Sequence, residues 1–325
     1  MGKNYLLLGV IISIFCILIP ATNTNAIDTE KFKVVDGFKK TGFKEENMSD
    51  KRKIKIGFMV QTYDWMDVEG LLLPLHKNCL IKGESWFDVE FEIVVLEDSF
   101  NSGDVHSGAL EDDFDVVVGP GGFGSWCTSS EYREKIKVFI ENGGGYYGIC
   151  GDSTFGGFKP NVSEEFKPLL KKLFGIEGIT EMLGVANVRS NVSVFYEIIS
   201  PENFTKLDVG LFLMKMAFSR AKIKFLESEE NIHRSRFNQT EKVMLGNVPL
   251  EDAGRKNMAD VSTLAVFNES DRPYPPSIVG QKAMVATTYG EGRVVLSAPH
   301  PELTLGNKDA QRIYIRNLLW AADAL

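Results

Sequence analysis

The chain has 325 residues, 44% of them hydrophobic and 25% charged, with a formal net charge of −8. That composition is globular rather than fibrous or disordered, and a chain of this size buries roughly three quarters of its unfolded surface. The acidic balance, without any Lys/Arg stripe, argues against a nucleic-acid partner, because phosphate binding wants a basic face.

At the amino end, Lys3 precedes the apolar stretch Tyr5–Pro20 and a short polar run closed by Ala26. This is the layout of an export signal. Residues 1–26 are therefore expected to be a signal peptide, with a retained membrane anchor as the alternative; the apolar run is short for a membrane span. Residues 27–53 are charged and poorly patterned, as in a linker or surface arm. Loss of the leader removes Cys16 and leaves Cys79, Cys127 and Cys150. Either Cys79 pairs with Cys127 and Cys150 stays free, or all three are unpaired. No CxxC pair or His/Cys cluster points to a metal, and no cofactor is expected. Six N-x-S/T triplets follow the leader, at Asn47, Asn161, Asn191, Asn203, Asn238 and Asn268. Some of them are expected to carry glycans in an exported chain.

Ile54–Val60 is the first strand, apolar enough to be buried on both faces. Asp67–Leu80 reads as a helix that Pro74 kinks or splits. Phe91–Leu96 is the second strand and Phe114–Val118 the third, which runs directly into the glycine-rich stretch Gly119–Gly124. Ser129 or Ser130 caps a helix with Tyr132, Ile136, Phe139 and Ile140 on one face, ended by Gly143–Gly145. Tyr146–Ile149 is the fourth strand, and Cys150 terminates it. Strands and helices alternating at this pace predict a parallel sheet covered on both faces, with ligands beyond the carboxyl ends of the strands. Residues 160–275 lack that rhythm, with apolar pieces at 169–174, 194–199 and 209–218, and read as an inserted subdomain or long excursion. Lys282–Tyr289 and Gly292–Ser297 then form a hairpin through Gly290-Glu291. Asp309–Leu325 is a closing helix with Ala310, Ile313, Tyr314 and Ala321 on one face.

Cys150 lies in Gly148-Ile149-Cys150-Gly151-Asp152, at a strand-to-helix turn. Such a turn holds sulfur out of the sheet, and a helix amino terminus favours the thiolate. The Gly151 amide points to where an oxyanion would form, and a second amide would come from Gly121 or Gly122. His300 lies in Pro299-His300-Pro301-Glu302, after the apolar run Val294–Leu296. The flanking prolines restrict the backbone, and Glu302 can orient the imidazole and stabilise its charged form. Cys150, His300 and Glu302 are thus the candidate catalytic set; a structural thiol in a glycine-rich turn is the alternative for Cys150. His76, His106 and His233 have no such setting.

Other features carry less. Gly119–Gly124 lacks the Gly-Lys-Ser/Thr ending of a phosphate loop. Asp112, Asp113 and Asp115 read as a solvated turn before a strand rather than a metal cluster. Trp126 and Phe123 either line a pocket mouth or pack, and Arg189, Arg234 and Arg236 are anion contacts or surface residues.

A Gly-Pro-Gly-Gly loop at Gly119–Gly122, the run GGGYYGIC at Gly143–Cys150 and a late Pro-His-Pro-Glu at Pro299–Glu302 together resemble the class I glutamine amidotransferase superfamily. Within it the chain most resembles the biotin-protein-ligase N-terminal-like domains. The resemblance spans Ile54 to about Gly157 and Ser277 to Leu325, and it is weak between them. It implies an α/β flavodoxin-like sandwich over residues 54–325, with a mostly parallel sheet and helices on both faces. It also implies a Cys150-His300-Glu302 triad. Amidotransferases of this class usually carry Gly and Gln where this chain has Asp152 and Thr154, and residues 54–325 leave no expectation of a synthetase or ligase activity within them. The expectation is an exported cysteine hydrolase of an amide or ester, acting on a small-molecule or peptide substrate. A binding or cell-surface protein that keeps the shell is the alternative, and a redox or glyoxalase-like role is a third reading. Membrane contact is expected only if the amino-terminal segment is retained.

Overall fold

The computed structural model describes residues 51–62, 64, 68–122, 124–162, 164, 181–198, 219–228, 231–270 and 275–325. The expected leader, the arm up to residue 50, the apolar pieces at 169–174 and 209–218, and Phe123 lie outside the described residues; the end of the expected arm, Arg52 and Lys53, instead begins the first strand, where it pairs with Val89 and Glu90. Strands β1 (Arg52–Gln61), β2 (Val89–Asp98), β3 (Val116–Gly119) and β4 (Gly145–Ile149) are the four expected from the apolar runs. All of β3 and β4 is buried, as strands covered on both faces must be. Helix α1 spans Leu73–Phe87 and α2 spans Ser130–Glu141. Pro74 does not split α1: it falls in the first turn, where a missing N–H costs nothing, after one π-helical turn at Val68–Leu72. Ser129 caps α2, its side chain accepting from the Tyr132 amide.

A short helix α3 (Gly151–Gly156) opens directly at Cys150. It is followed by β5 (Val188–Ser190), α4 (Ser193–Ile198), β6 (Arg220–Phe225), β7 (Thr240–Met244), β8 (Leu250–Asp252) and β9 (Ser262–Ser270). The chain closes with the hairpin β10 (Lys282–Tyr289) and β11 (Gly292–Ser297), then α5 (Lys308–Ala321), which Asn307 caps.

All eleven strands join one sheet, ordered β2-β1-β3-β4-β11-β10-β9-β6-β7, with β8 on β10 and β5 on β8. The run β2-β1-β3-β4-β11 is parallel. From β11 outward every pairing is antiparallel. The sheet is therefore mixed, not mostly parallel. The hairpin at Gly290-Glu291 reverses the direction, and later pairings need no helical crossover. The described part of residues 160–275 is correspondingly no separate covering subdomain: it extends the central sheet. Its strand Arg220–Phe225 alternates, with Ala221, Ile223 and Phe225 buried and Arg220 exposed. Helices α1 and α5 pack on one face around Leu80, Ile313 and Leu318. Tyr132, Ile136 and Ile140 of α2 and Phe155 of α3 pack on the other.

Candidate active site

Register brings the two expected residues together. Strands β4 and β11 are parallel neighbours, with Ile149 opposite Ser297. Cys150 is the first residue past β4, and its amide donates to the Ser297 carbonyl at 2.8 Å. Three residues past β11, the chain has turned through Ala298 and Pro299 to His300. Two segments 150 residues apart in sequence thus end side by side, because their strands pair.

Cys150 sits at φ 53°, ψ −118°, a backbone conformation that costs a non-glycine residue on the order of 1–3 kcal/mol. Three donors clamp its carbonyl: Ser153 N at 3.1 Å, Ser153 Oγ at 2.6 Å and Asn247 Nδ2 at 2.5 Å. Asn247 is itself held, with Nδ2 2.9 Å from Thr154 Oγ1 and Oδ1 accepting from the Val248 amide at 2.8 Å. Trp126 packs beneath the turn and donates Nε1–H to the Gly151 carbonyl at 2.8 Å, so it braces the elbow.

His300 is 6% exposed and Glu302 fully buried. Nδ1 of His300 lies 2.6 Å from Glu302 Oε1, and the ring's other edge stands on the Cys150 side, beside Gly246. Burial opposes a charge on His300, but the Cys150 and Glu302 charges and hydrogen bonds outweigh it and hold the imidazole above its ordinary pKa. A His300 that keeps its proton through neutral pH is the partner a thiolate needs.

Two glycines wall the pair. A Cβ on Gly121, at φ 110°, would lie 3.1 Å from Cys150 Cβ and 3.2 Å from His300 Cε1. A Cβ on Gly246, at φ 122°, would lie 2.4 Å from His300 Cδ2, 2.9 Å from His300 Nε2 and 3.4 Å from Cys150 Sγ. Both positions demand glycine twice over, by backbone and by space. Gly246 arrives because β7 runs on past Met244, which pairs with His300; the His300 amide donates to the Met244 carbonyl at 2.8 Å. Nothing in the sequence marks Gly246 or Asn247, whose chemistry is plain and whose position depends on β7 joining the sheet edge.

Of the three amides expected to face an oxyanion, those of Gly151 and Gly122 remain available. The Gly121 amide, the other candidate, is engaged: it donates to Asp152 Oδ2 at 2.8 Å. The amides of Gly122 and Gly151 have no acceptor among the described residues. Asp152, whose charge would oppose a thiolate, is turned away against Gly119 and fully covered. Burial pushes its carboxyl up to about 7, against the Ser125 hydroxyl and the Gly121 amide, which favour the charge. Neither Ser125 Oγ nor Asp152 Oδ1 completes a hydrogen bond of normal geometry.

His76, His106 and His233 differ from the expectation in one case. His233 is buried on Asn317, and His106 binds Asp98 and Ser129. His76, however, stands directly behind Glu302, with Nε2 3.5 Å from Oε1. Cys79 and Cys127 are buried, and the expected Cys79–Cys127 bridge is not formed: neither they nor Cys150 is in a disulfide among the described residues. Asp112, Asp113 and Asp115 line a groove of about 680 Å³ at the amino ends of β3 and β4, opposite Cys150. Among the described residues no group of three ligating side chains could hold a metal. Arg189 is paired with Glu251, and Arg236 with Glu241 and Asp309, which leaves neither as an anion site.

The fold and site define a mixed α/β protein with a strained cysteine, a histidine and a buried glutamate at the carboxyl ends of neighbouring strands. No family model and no curated protein matches the chain. Among solved structures it is similar to a putative ThuA-like protein from Bacteroides uniformis, at 9% identity, over 86% of this chain and 95% of that one, with a TM-score of 0.46. A second putative ThuA-like protein, from Parabacteroides merdae, is 11% identical over 84% and 90%, with a TM-score of 0.46. A cytoplasmic protein from Salmonella typhimurium is 14% identical over 83% and 98%, with a TM-score of 0.41. Likeness at this level carries no argument about chemistry.

Proposed function

We propose that this chain is an exported, glutamine amidotransferase-like cysteine hydrolase that cleaves an amide or ester of a small molecule or peptide. The observation that supports it is the meeting of Cys150 and His300 between two obligate glycines, with Glu302 fixing the imidazole from behind. In this reading the Cys150 thiolate attacks a carbonyl carbon, and the carbonyl electron pair moves onto oxygen, facing the Gly122 and Gly151 amides. The intermediate collapses, the C–N or C–O bond breaks, and His300 gives its proton to the departing amine or alcohol. Water then adds to the thioester with His300 taking its proton, the C–S bond breaks and the thiolate returns. Glu302 orients the ring and stabilises its charge without touching substrate.

The resemblance to biotin-protein-ligase N-terminal-like domains enters here in the same way, through Gly119–Gly122, Gly143–Cys150 and Pro299–Glu302. Asp152 and Thr154 at the positions usual for Gly and Gln favour simple hydrolysis over ammonia transfer. Export rests on residues 1–26, and glycosylation on triplets such as those at Asn161 and Asn238, whose asparagines are exposed. The test is acylation with p-nitrophenyl acetate, read by intact mass and peptide mapping. One acetyl group on Cys150, absent in Cys150→Ala, is the expected result. Hydrolysis at full rate in Cys150→Ala, or acetylation spread over lysines alone, overturns the reading in favour of a binding protein.

A further inference from the structure

His76 has no motif around it in sequence, yet it occupies a singular place. It lies in the first turns of α1, fully buried, with its ring edge-on to Phe58 and Tyr314 at centroid distances of 5.2 Å each. Nδ1 is 3.0 Å from Tyr314 Oη, across the α1–α5 contact. Nε2 faces Glu302 Oε1 at 3.5 Å, wider than a hydrogen bond by about 0.5 Å. Among the described residues, Glu302 has one hydrogen-bond donor, His300, and both Glu302 Oε2 and His76 Nε2 are buried without a partner. The groups facing Glu302 and His76 are His300, Cys79, Tyr147 and Tyr314.

A neutral imidazole has one N–H, and two placements compete. With the proton on Nδ1, His76 would donate to Tyr314, and the Nε2 lone pair would face a carboxylate oxygen in a water-free site. With the proton on Nε2, Tyr314 donates to Nδ1 and Nε2–H faces Glu302 Oε1, so both nitrogens of His76 and the Tyr314 hydroxyl are matched, while Glu302 Oε2 stays without a donor in either placement. The second placement avoids leaving a buried carboxylate and a buried lone pair opposed.

We propose that His76 is a positioning residue for the Cys150–His300–Glu302 site: as the Nε2–H tautomer it donates to Glu302 from behind. Tyr314, His76, Glu302, His300 and Cys150 then form one ordered chain linking α1 and α5 to the sulfur. The catalytic consequence rests on the hydrolase reading; the tautomer does not. Burial holds His76 down to about 4, with Glu302 pulling it up and His300 pushing it down, so it stays neutral where His300 is charged.

The tautomer is read by 15N NMR of the full chain, with the His76 resonances identified by their loss in His76→Gln. Neutral Nε2–H across roughly pH 5–9 is expected; an Nδ1–H form or an imidazolium in that range overturns the proposal. The consequence is read by the pH profile of iodoacetamide alkylation at Cys150. His76→Phe should move the acid limb of that profile up by roughly one pH unit, while His76→Gln, which keeps an N–H toward Glu302, should stay near wild type. A folded His76→Phe with the wild-type profile contradicts positioning. Should His76→Phe fail to fold, Tyr314→Phe, which frees the tautomer, must shift the limb in the same direction or the chain is disproved. If wild-type Cys150 alkylates as an ordinary thiol while NMR reports Nε2–H, the hydrolase reading falls and the His76–Glu302 pairing stands.

Discussion

Two histidines of this fold each bridge a carboxylate and a side chain able to act as a nucleophile. His300 lies 2.6 Å from Glu302 and against Cys150; His106 lies 2.8 Å from Asp98 and 2.9 Å from Ser129. On paper both are triads. The settings differ. Ser129 has ordinary extended backbone, at φ −67° and ψ 161°, and its oxygen already caps α2 by accepting from Tyr132. Asp98 also accepts the amides of Val105 and His106, so that pair ties a loop to the end of β2. Cys150 sits on a strained turn between glycine walls, with two amides beside it and, among the described residues, no competing hydrogen-bond partner for its sulfur. What separates the proposed reactive site from a structural brace is therefore the backbone around the pattern, not the pattern.

Replacements at the two regions should separate them. The largest effect belongs to Cys150→Ala, which should lower ester turnover by roughly a thousandfold or more while leaving the melting temperature within a few degrees. Gly246→Ala should cost on the order of a hundredfold in turnover, since its methyl group displaces the His300 ring; a wild-type rate would mean the segment after β7 does not approach the pair. Asn247→Ala should slow turnover roughly tenfold and destabilise by about 1–3 kcal/mol in urea unfolding, because the Cys150 carbonyl loses a clamp in a buried site.

Asp152→Asn tests the turned-away carboxyl. Its folded pKa is raised to about 7 from an ordinary 3.8, so the folded state holds the extra proton, and stability falls as pH rises through that window. His76 and His233, lowered by burial to about 4 and about 3, act in the opposite sense as pH falls below 6.5. The difference between wild type and Asp152→Asn isolates the carboxyl, and it should change by up to about 4 kcal/mol between pH 4 and pH 7. A pH-independent difference would place the carboxyl in water. Smallest of all, Ser129→Ala should cost about 1 kcal/mol of stability, as a lost helix cap does, and leave Cys150 alkylation unchanged.

The parallel half of the sheet was legible because its strands are unbroken apolar runs punctuated by glycine, and Cys150 and His300 lie at the ends of two of them. The antiparallel half was not. Arg220–Phe225 alternates in the manner of a half-exposed strand, a signal that could have been read, but Thr240–Met244 has one buried residue and little pattern. With β7 unplaced, Gly246 and Asn247 had no address near the sulfur. His76 was missed for a related reason: helical spacing says which face of α1 is buried, and only tertiary packing says that Glu302 lies beneath it.

The proposed hydrolase needs His300 to activate Cys150 on its strained turn. The rate of iodoacetamide labelling against pH, resolved by peptide mapping, tests it with built-in references, since burial raises Cys127 to about 11 and Cys79 further still. At about pH 6, Cys150 should be labelled while Cys79 and Cys127 are not, and His300→Ala should abolish that preference. If Cys150 labels no faster than a free small-molecule thiol, or labels equally well without His300, the account is wrong.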